Sequence, residues 1–435
     1  MGLAAGCLVA GCTVAASPSP TVAPPSSSPP SASTPIPATP TPTPTPTPAP
    51  TGLPSVGTAP SGQWSAIRWI SAGPVFPQTP TADANAGLLA TVSVFGWSRG
   101  YVGFLALVDE NSAPATPVTI FSTSSTDGLH WTAVRPLDTE GLPYLGQGPL
   151  TEVVEGPAGL LAVGWNMVGV CGGPPTVAAL WTSPDGLTWS RVQLPADFAS
   201  ASVYTVDAGS TGYIATGTLK NGVTQAVWLS TDGRSWHQVP LPKPTSGVVV
   251  VDGATDFAGG YVLSGAQRID LGCGESEFTP SLWWSAAGKS WTRSKLSGAL
   301  PAGSAWVTVS RISDHALMAI ATEWNQTTPV SSKQVWFTTD GRSWDLVASP
   351  SSLLSASVLT NGQRGLVVLN PPDNDGPPTI ATVGNDLTVT TLSQTGDGPV
   401  ASASSIAWTP AFGPTGVVIL DSDGSNLWLG VPTTS

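Results

Sequence analysis

Five short segments of this chain repeat one pattern at a nearly constant spacing, which restricts the folds open to it more than any other feature. SSTDGLHW, TSPDGLTW, LSTDGRSW, WSAAGKSW and FTTDGRSW end at Trp131, Trp189, Trp236, Trp291 and Trp344 and share S/T-x-D-G-x-x-W, with Ala287 replacing the acid in the fourth. Their glycines, Gly128, Gly186, Gly233, Gly288 and Gly341, stand 58, 47, 55 and 53 residues apart. Trp181, Trp228, Trp283 and Trp336 lie five positions ahead of the last four glycines, so each copy reads as strand, tight turn, strand. Asp-Gly between apolar strands predicts a type I′ hairpin, which needs positive φ at both central residues. The acids Asp127, Asp185, Asp232 and Asp340 would accept backbone N–H groups inside the turn.

A second strand pair precedes most copies, as in EVVEGPAGLLAVGW (Glu152 to Trp165) and YTVDAGSTGYIATG (Tyr204 to Gly217). Each repeat is therefore expected to be a four-stranded antiparallel sheet. A sheet of that size cannot bury both apolar faces alone, so copies must stack face to face. Residues 63–435, at about 53 per unit, correspond to about seven units. The expectation is an all-β fold: a seven-bladed β-propeller of four-stranded antiparallel blades, with six or eight blades as the alternatives. Gln63 to Ile70 looks like the strand that follows a box, with Trp64 in the place of Trp236, and NLWLGV carries Trp428 in the place of Trp228. An N-terminal strand is thus expected to complete the last blade and hide the sheet edges.

The boxes resemble the Asp-box, or BNR repeat, of sialidases and related β-propellers, in a form one residue shorter than S-x-D-x-G-x-x-W. That resemblance covers residues 63–435 and implies a blade-edge turn away from the central site. It supports a fold rather than a reaction. A sialidase would also need an F/Y-R-I-P segment, three arginines on the substrate carboxylate and a Tyr/Glu nucleophile pair. Ile67-Arg68-Trp69-Ile70 does not match the first of these.

The front of the chain is of another kind. Residues 1–12 are small and apolar and end on Val9-Ala10-Gly11-Cys12, which resembles the lipobox of exported bacterial lipoproteins, with Cys12 as the lipid attachment site. No charged residue precedes Arg68, against the usual signal-peptide pattern. Lipidation at Cys7, cleavage after Ala16 and a chance run of small residues stay open. Residues 13–62 hold 16 prolines among Ser, Thr, Ala, Gly and Val, too little hydrophobic mass for a core. A disordered, extended stalk reaching on the order of 150 Å is expected. The domains are thus 1–12 signal segment, 13–62 linker and 63–435 propeller, and the location is extracytoplasmic, anchored to a bacterial membrane by lipid or secreted.

Function is less legible. With 15 Lys plus Arg against 27 Asp plus Glu, the formal net charge of −12 argues against nucleic-acid partners. Acids near first strands or their turns, Glu152, Glu155, Asp207, Asp252 and Asp256, are the candidates for a paired-carboxylate glycosidase, although strand-end turn acids are the plainer assignment. Arg68, Arg99 and Arg311 are the arginines that could reach the middle. The three histidines fall in a box, on an outer strand and in a turn, and no nucleophile, Walker or HExxH motif occurs. Asp373 to Gly376 and Asp421 to Gly424 look like fragments of a Ca²⁺ loop but lack its downstream glutamate. Cys171 and Cys273 occupy equivalent long loops and could form a disulfide outside the cytoplasm; two free thiols is the alternative. Trp97, Trp165, Trp324 and Trp408 lie outside the repeated positions and are candidates for a glycan platform. No cofactor or metal is expected. The preferred expectation is a noncatalytic, monomeric surface propeller binding an unknown protein or glycan. A sialidase-like glycoside hydrolase acting on extracellular glycans is the alternative.

Overall fold

Glycine at positive φ turns the first strand of a repeat directly into its second, as at Gly159 (φ +107) and Gly212 (φ +145), where a Cβ would be strained. The computed structural model describes residues 59, 63–73, 75–76, 88–109, 119–139, 150, 152–166, 177–219, 224–272, 275–298, 304–324, 333–347, 356–360, 365–369, 378–383, 389–399, 409–421 and 426–434. All of them belong to one compact unit, Ala49–Ser435. Cys7, Cys12, Cys171, Cys273, Asp373 to Gly376, Ser422 to Gly424 and Trp408 lie outside them, as do the signal segment and nearly all of the stalk. Among the described residues no helix is long and apolar enough to cross a membrane.

The fold is an all-β propeller. The first blade contains Leu88–Trp97, Gly100–Asp109, Thr119–Ser125 and Arg135–Pro136. In the second, Glu152–Gly156, Gly159–Asn166, Val177–Ser183 and Ser190–Arg191 pair in order. The third orders Ser202–Gly209, Gly212–Thr218, Gln225–Ser230 and His237–Val239, and the fourth Val248–Phe257, Gly260–Gly272, Glu275–Ser285 and Thr292–Arg293. Ser304–Ser313, Ala316–Trp324, Lys333–Thr338 and Ser343–Val347 make the fifth, and Ala356–Thr360, Gly365–Leu369, Thr379–Val383 and Val389–Thr391 the sixth. A composite sheet closes the ring from Thr409–Phe412, Val417–Leu420, Leu427–Thr434, Trp64–Ser71 and Ser393–Gly396. First strands pack on first strands all the way round, from Leu88–Trp97 back to Thr409–Phe412.

The expectation of a seven-bladed propeller is corrected by this pairing: the propeller has six blades, not seven. Six blades are each folded from one continuous stretch of chain, and the remaining sheet is assembled from three separate stretches. Nor is the strand content uniform. The fifth blade gains Lys295–Leu296, which pairs in parallel with Ser343 and Trp344, and the closing sheet gains Ser393–Gly396, in parallel with Ala66 to Trp69. The cause is local: where the chain leaves one blade and runs along the outer edge of the next, its free N–H and C=O groups add to that edge, which would otherwise stay unpaired. Trp64 to Ser71 pairs antiparallel with Trp428 to Thr434, Ile67 facing Pro432 and Trp69 facing Gly430.

Neighbouring sheets share one apolar cluster at each junction. Trp97, Val102 and Phe104 of the first blade meet Leu160, Ala179 and Trp181 of the second. Ile67, Trp69 and Ile419 of the closing sheet meet Leu366, Val368 and Ile380 of the sixth blade. The repeated tryptophans Trp181, Trp228, Trp283 and Trp336 are all buried, and the Trp181 and Trp336 indoles donate to Asp138 O at 2.8 Å and Ser297 O at 2.9 Å, tying each blade to the chain segment that leads into it. Between the second and third blades, Phe198 on the short helix Ala196–Ala199 stacks on Trp236 with ring centroids 5.1 Å apart.

Candidate functional site

The boxes lie on the turn after the third strand of a blade and are held together internally. In the first, Ser125 Oγ accepts the Gly128 N–H at 2.8 Å, and Asp127 Oδ1 accepts the Leu129 and His130 N–H groups at 2.9 and 2.8 Å. Asp185 and Asp340 repeat this with Ser183 and Thr338, and Asp232 accepts from Arg234 and Ser235 at 2.8 and 2.7 Å. The Trp189, Trp236 and Trp344 indoles donate to Gly186 O, Gly233 O and Gly341 O at 3.3, 3.1 and 3.2 Å. Gly288 belongs to the box without an acid, and its Trp291 donates instead to Pro240 O at 2.7 Å. Burial would raise the four aspartates, but the N–H and hydroxyl donors aimed at them outweigh it and hold them below the ordinary carboxylate range, Asp232 at about 2. The type I′ expectation is corrected: only the glycine of each box has positive φ, +69 to +80, and Ala258 is the one non-glycine with positive φ among the described residues. The reason is that the carboxylate caps two following N–H groups, an Asx-type turn that the aspartate makes at ordinary φ.

Chemistry gathers elsewhere, along the first strands. Glu152, Asp207, Asp252 and Arg311, from the second to fifth blades, line one cavity of about 300 Å³ together with Thr205, Thr255, Ser264, Thr308 and Ser310. Asp252 stands there because of a bulge: register shifts between Val251↔Gly265 and Gly253↔Ser264, leaving Asp252 as the extra residue, and a bulge re-aims its side chain. Similar irregularities occur at Val203/Thr205 and Arg311/Ser313 in the neighbouring first strands.

Three environments distinguish the acids. Burial pushes Glu152 up to about 8, with the negative Asp207 adding to the rise, while its Oε2 accepts the Val206 N–H at 2.8 Å. Asp252 is raised to about 6 by burial, and its Oδ2 has no hydrogen-bond partner among the described residues. Asp207 Oδ2 is gripped by Arg311 Nη2 at 3.2 Å and by the Asp256 N–H at 3.1 Å. Arg311 Nη2 also donates to Ala208 O at 3.4 Å and to Asp256 O, so one guanidinium crosses from the fifth blade to the third. The Asp256 carboxyl, raised mainly by burial, accepts from the Thr211 hydroxyl. At neutral pH the cavity therefore combines a protonated acid, a carboxylate whose buried Oδ2 has no donor among the described residues, and an ion pair.

The structure thus brings together Glu152, Asp207, Asp252 and Arg311, with the Asp256 backbone bonded to Asp207 and Arg311, and leaves Glu155, Arg99 and Arg68 apart. Glu155 accepts the Ser98 N–H and hydroxyl at 2.8 and 2.5 Å at a blade junction. Arg99 lies 4.2 Å over the Trp97 ring and donates to Pro184 O, and Arg68 is exposed on the closing strand. Trp97 is buried and is no surface platform; the Trp165 and Trp324 side chains lie outside the described ones. Hydroxyl residues Thr205, Thr255 and Ser264 were not marked by the sequence, because only their register on first and second strands sends them inward. Among the described residues no group of three or more His, Cys, Asp or Glu is arranged to hold a metal ion.

No protein-family model and no curated protein matches the chain. Among solved structures it is similar to a Penicillium chrysogenum α-L-arabinanase complexed with arabinobiose, at 16% identity over 76% of this chain and 98% of that one, TM-score 0.35. The β-propeller domain of the Trilobed protease from Pyrococcus furiosus is 9% identical over 80% of this chain and 96% of its own, TM-score 0.45. A Trypanosoma rangeli sialidase in complex with sialic acid is 12% identical over 70% of this chain and 54% of its own, TM-score 0.33. At these identities no reaction passes from any of them to this chain.

Proposed function

We propose that the protein is a glycoside hydrolase working in the axial cavity, with Glu152 as general acid and Asp252 as the carboxylate partner. One observation carries the reading: two carboxyl groups of one cavity are set to different protonation ranges by their surroundings, which is what acid-assisted glycosidic cleavage needs. Val206 holds Oε2 of Glu152 as an acceptor, leaving Oε1 to carry the proton toward the leaving oxygen. Asp252 lines the same cavity, so its carboxylate is placed to act on water or on the sugar, while its Oδ2 is buried without a hydrogen-bond partner among the described residues. Hydroxyls of Thr205, Thr255 and Ser264 are suited to orient sugar hydroxyl groups.

The activity should follow a bell-shaped pH profile. Asp252 must be ionised, which sets the rising limb near pH 6, and Glu152 must keep its proton, which sets the falling limb near pH 8. Full-length protein assayed on a panel of glycosides should turn over at least one, and Glu152→Gln should lower kcat by about 10² to 10⁴. A wild-type protein silent across the panel would favour the second reading, a noncatalytic propeller that binds a protein or glycan. That reading is supported by the cavity lining, which among the described residues holds one arginine, paired with Asp207, where sialidase-type chemistry needs three. Under either reading we place the propeller outside the cytoplasm, on its Pro/Thr-rich stalk, with Cys12 as the lipid-bearing residue. Mass spectrometry of the mature N-terminus tests this, and an unmodified Cys12 in the mature protein would overturn the anchor.

A further inference from the structure

We propose that Asp207 and Arg311 are positioning residues for Glu152: their ion pair pins the strand that presents a donor to the Glu152 carboxyl and keeps a negative charge beside it. This rests on the reading of Glu152 as the acid of the cavity and adds the two residues through which that acid is held. Glu152 Oε2 accepts the Val206 N–H at 2.8 Å, so its orientation depends on where the first strand of the third blade places that donor. The ladder is weak there. Register with Gly212–Thr218 shifts between Val203↔Gly217 and Thr205↔Thr216, and a bulge disrupts the local pairing. Val206 packs into the apolar cluster shared with the second blade, and alternation along the strand sends Asp207 the other way. On that side Asp207 Oδ2 accepts from Arg311 Nη2 at 3.2 Å and from the Asp256 N–H at 3.1 Å, and the same Nη2 donates to Ala208 O at 3.4 Å. Arg311 of the fifth blade thereby grips the two residues that follow Val206.

The charges near Glu152 are few. Its strand packs most closely on Leu88–Trp97, Gly159–Asn166 and Ser202–Gly209. The first two contain no ionisable residue, and the third contributes Asp207 and the 40% exposed Tyr204, whose phenol meets Thr218 Oγ1 at 2.9 Å. Glu155 is turned away to Ser98, while Asp252 and Arg311 line the cavity from the fourth and fifth blades. Asp207 is thus the anion of the adjoining strand, and its negative charge adds to the rise that burial imposes on Glu152. Loss of Asp207 leaves a cation in the cavity and loss of Arg311 leaves an anion, and these push the Glu152 proton in opposite directions.

The test is an isotope-edited NMR titration of the Glu152 carboxyl in the full-length protein, its resonance identified by its loss in Glu152→Gln. Wild type should titrate at about 8. Asp207→Asn keeps an acceptor for Arg311 and for the Asp256 N–H but removes the charge, and should lower that midpoint by about 0.5 to 1. Arg311→Gln keeps a donor for Asp207 and removes the cation, and should hold the midpoint at or above the wild-type value. A pair that served the fold alone would leave the midpoint of Asp207→Asn where it was. Asp207→Ala also removes the grip, and exchange of the Val206 amide should run about tenfold or more faster than in Asp207→Asn. An Asp207→Asn midpoint that does not fall overturns the inference, as does an Arg311→Gln midpoint below wild type or equal Val206 exchange in the two Asp207 variants. If the variants do not fold, wild type decides: the Asp207 carboxyl resonance should show a step at the Glu152 midpoint, and its absence overturns the inference. A wild-type Glu152 that titrates at about pH 4, the ordinary carboxyl range, removes the acid and its positioning pair together. The expected shifts in a protein that hydrolyses no glycoside sink hydrolysis alone and leave the positioning pair standing.

Discussion

Glu152 and Glu155 carry the same carboxyl on the same strand, and their odd separation turns them to opposite faces. Glu155 reaches Ser98 at a blade junction in the solvent, while Glu152 enters the cavity, where burial raises it from 4.5 to about 8. The sign of the consequence follows from that direction. A folded value above the unfolded one means that the contribution of Glu152 to stability is complete below about pH 4.5 and is lost as pH rises through about 8. Glu152→Gln has no proton to lose and keeps an oxygen for the Val206 N–H. Its stability relative to wild type should therefore improve by about 1 kcal/mol or more between pH 5 and 9. Thermal unfolding of both proteins across that range checks this, and a difference independent of pH would count against the burial of the acid.

At the scale of the element, the box turn is a local device whose parts can be exchanged. Three boxes close a ring of Ser or Thr hydroxyl, Asp carboxylate and Gly N–H, while the fourth has Ala287 and makes do without the acceptor. Ala287 is exposed, and Ser285 and Gly288 are already in place on either side of it. Ala287→Asp should let the new carboxylate accept the N–H groups of residues 289 and 290 and raise stability by about 0.5 to 1.5 kcal/mol. Urea unfolding midpoints at neutral pH measure the gain; an unchanged midpoint would mean that the fourth turn does not adopt the geometry of the others. The boxes were legible in the sequence because their hydrogen bonds span at most a few residues. Their turn type was not, because Asp-Gly suits two different turns and the cap by the carboxylate decides between them.

Closure belongs to the whole molecule. Trp64 to Ser71 pairs with a strand more than 350 residues away in sequence, and its indoles and Ile67 fill the cluster shared with the sixth blade. Trp64 also packs edge-on against Phe412 at 5.7 Å. A chain starting at Ala72 would expose both flanks of that sheet. It should lose several kcal/mol, given that removal of a single large core side chain costs about 3 to 5 kcal/mol, and amide exchange in Leu427–Thr434 should accelerate most. Uniform exchange rates in the truncated chain would show that the ring does not depend on this strand. The approach of the first blade to the closing sheet is equally tight, since a Cβ on Gly96 would fall 2.1 Å from Phe412 O.

The repeats by themselves determined that the chain is a propeller of short antiparallel sheets, because a period of about 53 residues with four strands leaves stacking as the way to bury both faces. They also marked Glu152, Asp207, Asp252 and Arg311 as candidates, since charge on a first strand is visible in one dimension. Tertiary structure alone decided which strands join a sheet edge, as in the parallel additions of Lys295–Leu296 and Ser393–Gly396. It also decided which acids meet: a bulge at Asp252 and a guanidinium spanning three blades are set by register between segments distant in sequence, and no local preference encodes register.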